Sequence, residues 1–273
     1  MASLKGILSV RFSGVESKIG NWQSEIGNRK YLKSTITNLK MIQSIFFDFN
    51  GVIIDDEGIQ MRAYQEVFRG HDIDLTEEWY LDALGMNDKT FVNYVFDRAK
   101  KSAGESTVAD ALQKKIELHR GMIEDELPLF PGVLTFLKTT ARHFSLCLVS
   151  MANKIEIGYV FERAKLGPLF SVVITADDVT VCKPAPDCYR TAFDQLNEKR
   201  QRERLLPLLP SECLAIEDSP PGIQSARAAG MHTIGVTNTV SADALRAAGA
   251  EIVTPSLADW SVSSVRHLFN SSH

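Results

Sequence analysis

The sequence predicts an α/β fold, a doubly wound parallel sheet carrying a small α-helical cap domain, and three observations lead to it. Short, wholly apolar, β-branched runs alternate with segments of helical spacing; one long strand-free stretch interrupts that alternation after the first run; and acids and a serine stand at or just past the ends of the runs. Strands that are apolar throughout are buried on both faces, as in a parallel sheet covered by helices. In such sheets ligands bind outside the carboxyl ends of the strands.

The first 40 residues carry seven Lys or Arg, two acids (Glu16 and Glu25) and six serines, a bias that stops at Met41. MIQSIFFDFNG then begins like a whole domain. Residues 1–40 therefore read as an N-terminal extension: an organellar transit segment, an appended tail or an over-extended start upstream of Met41. SIFFDF is a continuous apolar strand, and GIQMRAYQEVF has helical spacing. Between about Glu57 and Leu127 strands vanish, and EEWYLDALG, DKTFVNYVFDRAKK and STVADALQKKIELHRGMIEDEL read as helices. This insertion returns at the LFPGV turn (129–133), which lets it act as a lid on the site edge. The alternation resumes with LCLVS (146–150), SVVIT (171–175), CLAIE (213–217) and HTIGV (232–236), each followed by helical spacing. The charged run NEKRQRERLLPLLP (197–210) reads as a solvated helix end and loop. The expected organisation is a core from 41–56 and 128–273, with the helical cap at 57–127.

The chain has 273 residues, 44% hydrophobic and 23% charged, enough for a full core and a smaller appended domain. A net charge of −4 argues against a general affinity for nucleic acid, which needs clustered positive charge. No apolar run approaches the roughly 20 residues of a membrane span. The expectation is a soluble cytoplasmic monomer with no nucleic-acid or membrane partner, or a plastid or other organellar protein if residues 1–40 are a transit peptide. Cys147, Cys182, Cys188 and Cys213 lack CxxC spacing and read as reduced thiols.

Asp48 ends the first strand and is followed by Phe49, Asn50 and Gly51, the glycine allowing a sharp turn. Glu217 and Asp218 stand at the tip of a later strand, so carboxylates gather at one sheet edge, and hard oxygen ligands of this kind suit Mg²⁺. Ser150 offers a hydroxyl after LCLV, and Lys183 is followed by Pro184 and Pro186, which restrict its backbone. Each of these residues alone has an ordinary reading as a cap, turn former or surface charge. As an ordered set they can attack, hold and neutralise a phosphoryl group.

The four segments resemble the four motifs of the haloacid-dehalogenase-like superfamily, in the branch with a helical cap after the first motif: DFNGVIIDDE, VSMAN, CKPAPDCY and AIEDSPPGIQSARAAGM. Their order and spacing are similar to those of β-phosphoglucomutase-like phosphatases and mutases, from Met41 to the C-terminus. The resemblance implies a Rossmann-like core and a Mg²⁺-dependent phosphohydrolase for a small phosphorylated metabolite. In it Asp48 is the nucleophile and forms an aspartyl-phosphate. It further implies that Asp48, Asp218 and the Asn50 main-chain carbonyl ligate the metal, with Glu217 supporting Lys183 or the metal site. Ser150, beside Met151, and Lys183 hold phosphoryl oxygens.

The departure is Asn50, where the family's phosphatases and mutases carry an aspartate that protonates the leaving oxygen and deprotonates the attacking water. An amide cannot do this, and the loss of acid–base help, about 10²–10⁴-fold, raises the barrier by roughly 3–5 kcal/mol for an alcohol leaving group. Four explanations stay open: a substrate with a good leaving group; a substitute acid among Asp55, Asp56 and Glu57, which otherwise read as the start of the cap hinge; a slow or inactive protein that binds Mg²⁺ and phosphorylated ligands; or a deliberate Asp-to-Asn change that traps the phospho-enzyme. Gln60 stands where the mutases have a histidine, which favours hydrolase over phosphomutase. Dehalogenation is set aside because Asp218 belongs to a metal-type motif. Cap cations that could meet the substrate are Lys89 and either Lys115 or Arg120.

Overall fold

The computed structural model describes residues 41–268. The expectations for residues 1–40 lie outside that range. Six parallel strands, β1 (Ser44–Phe47), β2 (Ser145–Val149), β3 (Phe170–Ile174), β4 (Cys213–Glu217), β5 (His232–Val236) and β6 (Ile252–Thr254), form one sheet in the order β3-β2-β1-β4-β5-β6. The fold is the α/β, Rossmann-like arrangement that the sequence predicts. The chain builds to one side of β1 and then crosses to the other, which makes the gap beyond β1 and β4 the topological switch point.

The all-apolar strands have a geometric basis. Side chains alternate across a strand, and here each face meets its own apolar layer. Ile45 and Phe47 of β1, Leu146 and Leu148 of β2, and Leu214 and Ile216 of β4 enter one buried cluster. Phe46, Cys147, Val149, Cys213 and Ala215 enter another, with Tyr189 and Leu196 of the helix Asp187–Arg202. Phe47 is fully buried and meets Phe136 and Phe170 edge-on, with ring centroids 6.0 and 6.2 Å away.

After β1 come four inserted helices, α1 (Glu57–Arg69), α2 (Glu77–Leu81), α3 (Asp88–Arg98) and α4 (Glu105–Met122). In α1 the buried residues are Gln60, Ala63, Tyr64, Val67 and Phe68, one stripe at helical spacing. That stripe packs on Phe91, Val92, Val95 and Phe96 of α3 and on Val108 and Ala111 of α4, an apolar cluster separate from those of the sheet. The buried face of α4 continues with Lys115 and His119, two polar residues where the pattern calls for apolar ones. The remaining helices are α5 (Val133–Thr140), α6 (Lys154–Ala164), α7 (Asp187–Arg202), α8 (Pro220–Ala228), α9 (Ala242–Ala248) and α10 (Val262–Leu268).

Departures from the sequence reading are local. The first strand stops at Phe47, because the backbone turns once Asp48 has made its bond to β4. The helical stretch expected to reach Glu126 ends at Met122. Strand β6 and helix α10 were not expected, β6 being only three residues long and half-buried. The four cysteines are free thiols, three of them buried. Among the described residues no helix is long and apolar enough to cross a membrane.

Truncating Phe47 to alanine should lower unfolding free energy by about 3–5 kcal/mol, because the pocket between Phe136 and Phe170 cannot collapse fully. Urea denaturation measures it, and a loss below about 1 kcal/mol would contradict the packing described.

Candidate active site

Asp48 stands one residue beyond β1, and its backbone N–H still donates to the Ile216 carbonyl of β4 at 3.0 Å. Phe47 pairs with Ile216, so Asp48 and Glu217 fall side by side at the tips of adjacent strands. The chain then turns at Gly51, whose φ of +71° and close approach exclude a side chain: a Cβ there would lie 1.8 Å from Asp218 Oδ2. Asn238, beyond β5, donates to the Gly51 carbonyl at 2.7 Å and fixes the turn.

Lys183 reaches the same point from the loop before α7, after which the Lys183–Pro184 peptide is cis. Its buried ammonium has three donors and three acceptors: Glu217 Oε1 at 2.6 Å, Asp48 Oδ1 at 3.1 Å and the Val149 carbonyl at 3.1 Å. Burial alone would lower the lysine's pKa, but Asp48 and Glu217 hold it above its ordinary value, so the cation persists. Tyr189 donates to Glu217 Oε1 at 2.6 Å. Glu217 Oε2 makes no hydrogen bond among the described residues and packs against the first turn of α8, where a Cβ on Gly222 would come within 1.9 Å. Burial, then Asp48, pushes Glu217 upward against the pull of Lys183 and Tyr189.

Asp48, Glu217 and Asp218 each offer an oxygen, and these oxygens lie within 4.8 Å of one another. Asp218 accepts from Thr239 Oγ1, yet burial and the carboxylates of Asp48, Glu57 and Glu217 push it well above the carboxylate range. Such crowding is relieved by a divalent cation, and an all-oxygen donor set fits Mg²⁺. Ser150 is buried at the tip of β2, its hydroxyl accepting from the Ala152 N–H at 3.0 Å. Asp48, Asn50, Ser150, Met151, Lys183 and Asp218 all line one cavity of about 100 Å³. The inserted segment from α1 to α3 contributes Glu57, Tyr64, Tyr80, Leu84, Met86 and Phe91 to its lining.

Asn50 Nδ2 donates to both oxygens of Asp56, at 2.8 and 3.0 Å. Asp56 is fully buried and also receives Gln60 Nε2 at 3.0 Å and His119 Nε2 at 2.8 Å. Because a carboxylate only accepts, His119 Nε2 is the donor in this contact. Behind His119, Lys115 binds Glu156 at 2.8 and 2.9 Å and Asp88 at 3.4 Å. Asn153, the N-cap of α6, donates to both carboxylates, and Tyr64 donates to Asp88 at 2.6 Å. Despite burial, Lys115 and these donors hold Asp88 below its ordinary value, while burial raises Glu156.

Two of the expected substrate cations are not brought to this cavity. Lys89 is exposed and lines a separate groove with Asn93 and Glu105, since the start of α3 turns it outward. Arg120 stacks over Tyr159 at 4.7 Å, on the far side of α4. Sequence reasoning missed Tyr80, Asp88, Glu156, Tyr189 and Thr239. Thr239 had a signal, since it follows β5 at the same sheet edge; the others sit within helices, where the side chain that faces the site depends on how each helix packs.

The sequence profile of the haloacid dehalogenase-like hydrolases matches residues 45–236, strand β1 through strand β5. The chain belongs to this family. Haloacid dehalogenase-like relatives include Phosphorylated carbohydrates phosphatase of Thermotoga maritima, 24% identical over 77% of this chain and 92% of that protein. Protein SUPPRESSOR OF QUENCHING 1, chloroplastic, of Arabidopsis thaliana is 24% identical over 82% of this chain but only 20% of its own length. The chain thus spans a fifth of that relative. Among solved structures, β-phosphoglucomutase of Clostridium difficile shares the fold with a TM-score of 0.73 and 20% identity, covering 84% of this chain and 98% of that one. The family's relatives include phosphatases of phosphorylated substrates.

Replacing Lys115 by alanine leaves Glu156 and Asp88 buried without their cation and should destabilise the protein by about 3–5 kcal/mol. Chemical denaturation at neutral pH tests this; a change under about 1 kcal/mol would mean that the network is hydrated in solution.

Proposed function

We propose that the chain is a Mg²⁺-dependent phosphohydrolase acting on a small phosphorylated metabolite through an aspartyl-phosphate at Asp48. The observation that carries this reading is Asp48 at the switch point, 3.1 Å from the Lys183 ammonium and grouped with Asp218. Asp48 attacks phosphorus, the bond from phosphorus to the substrate oxygen breaks, and the phosphoryl group passes to the carboxylate. Water then attacks the same phosphorus, releasing phosphate and restoring Asp48. Lys183 and Ser150 hold the phosphoryl oxygens, and Glu217, anchored by Tyr189, holds Lys183. Mg²⁺, held by Asp48, Asp218 and the Asn50 carbonyl with Glu217 completing the carboxylate group, would neutralise phosphoryl charge. Positioning and neutralisation dominate phosphoryl transfer.

Helices α1 to α4, within residues 57–127, serve as the cap that closes over the substrate. Both cations lining the cavity are already paired, Lys183 with Asp48 and Glu217, Lys115 with Asp88 and Glu156. This favours a monophosphate with no second anionic group, whose carbon skeleton meets Tyr64, Tyr80 and Phe91. Gln60, tied to Asp56, supports the hydrolase over a mutase. Asn50 supports a second reading, a weak or inactive relative that binds Mg²⁺ and phosphorylated ligands.

With Mg²⁺ present, the full chain should release phosphate from p-nitrophenyl phosphate or acetyl phosphate, and Asp48→Asn should reduce that at least about 10³-fold. Binding of inorganic phosphate without any turnover would instead establish the binding reading.

A further inference from the structure

The proposed reaction leaves the proton for the leaving group without a source, because Asn50 has none to give. Glu57 opens α1, directly after the buried Asp56, and lines the same cavity as Asp48 and Asn50. Tyr80 of α2 donates to its Oε2 at 2.7 Å. Its Oε1 takes no hydrogen bond among the described residues, which leaves that oxygen for a substrate. Glu57 is also outside the group of three carboxylates close enough to share one cation.

Resting on the aspartyl-phosphate reaction above, we infer that Glu57, positioned by Tyr80, is the catalytic acid and base of this enzyme. In the first step Asp48 attacks phosphorus, the bond from phosphorus to the ester oxygen breaks, and Glu57 delivers its proton to that oxygen, releasing a neutral alcohol. In the second step the Glu57 carboxylate takes a proton from the attacking water as the bond from phosphorus to Asp48 breaks. The products are phosphate, free Asp48 and protonated Glu57, ready for the next cycle.

The surroundings suit a group that must change protonation at neutral pH. Burial first, then Asp56, pushes the Glu57 carboxyl up to about 7, with Asp48 adding to the rise and the Tyr80 hydrogen bond and Lys115 opposing it. Asp218 of the β4 tip faces it as well. An acid is most effective when its pKa lies near the working pH. Asp56 is a weaker candidate, since Asn50, Gln60 and His119 occupy its oxygens.

The test compares wild type, Glu57→Gln and Asp48→Asn full chains with Mg²⁺, following phospho-enzyme in acid-quenched samples by mass. Acetyl phosphate, whose leaving carboxylate needs no proton, is set against a primary alkyl phosphate such as glycerol 1-phosphate. Glu57→Gln should still become phosphorylated by acetyl phosphate and accumulate the phospho-enzyme, while phosphorylation by the alkyl ester falls about 10²–10⁴-fold. In wild type, the alkyl-ester rate should decline as pH rises through about 7, where the acid form is lost, and the acetyl phosphate rate should not. Equal losses on both substrates, or none on the alkyl ester, would overturn the assignment, and so would wild type that accepts only acetyl phosphate. Absence of phospho-enzyme in wild type with either substrate, or its persistence in Asp48→Asn, removes the aspartyl-phosphate reading itself and this inference with it.

Discussion

Where β1 and β4 end, two carboxylates are brought side by side by strand register, and the ammonium of Lys183 is the charge that makes this arrangement tenable. Their oxygens lie within 4.8 Å of one another; like charges that close in a poorly hydrated site repel by several kcal/mol, and register alone would not keep Asp48 and Glu217 together. Lys183 bridges them while spending its third donor on the β2 carbonyl of Val149, so one side chain joins three neighbouring strands at their carboxyl ends. Asp218 lies outside its reach and relies on Thr239. That leaves three crowded carboxyl groups against one ammonium at the point where a hard divalent cation and a phosphoryl group are proposed to meet.

The same electrostatic solution recurs beneath the inserted helices. Lys115 is 1% exposed and joins Asp88 of α3 to Glu156 of α6, one carboxylate on each side of the junction between the inserted helices and the sheet layer. An ion pair of this kind adds little net stability over a well-packed apolar contact, but breaking it is costly, so its role is to specify one seating of the helices. His119 continues the chain of contacts to Asp56, and Asp56 continues it to Asn50. The inserted helices are thereby linked through side chains to the loop that carries Asp48.

What could be read from the sequence follows from what depends on local pattern. The strands of the sheet other than β6 announced themselves because burial on both faces makes them predominantly apolar; Asp48, Ser150, Glu217 and Asp218 could be singled out because they end such runs, and Lys183 because prolines follow it. β6 is short and half-exposed, so it left no such signature. Lys115 was a candidate as a substrate cation, but its burial and its pairing, and the place of His119, were illegible for the opposite reason: a polar residue on an amphipathic helix normally marks the wet face, and only the packing of α4 against α1 and α6 shows these two turned inward. Lys89 looked equivalent to Lys115 in sequence and ended up facing solvent, a difference set by helix orientation.

Asn50 acquires a structural meaning from its surroundings. Its amide donates to both oxygens of a fully buried Asp56. An aspartate at position 50 would instead set a second acceptor-only carboxylate against the first, within about 3 Å, and one of the two would have to take up a proton or move. The change therefore does more than delete an acid. With Asn50, Asp56 can stay a fully hydrogen-bonded acceptor that ties the nucleophile loop to Gln60 and His119, and the proton-transfer task shifts to a carboxyl free to exchange protons with a substrate. Glu57 is the neighbour that meets this requirement, because its immediate partner is a phenol, which leaves one oxygen unclaimed, whereas the oxygens of Asp56 are spoken for.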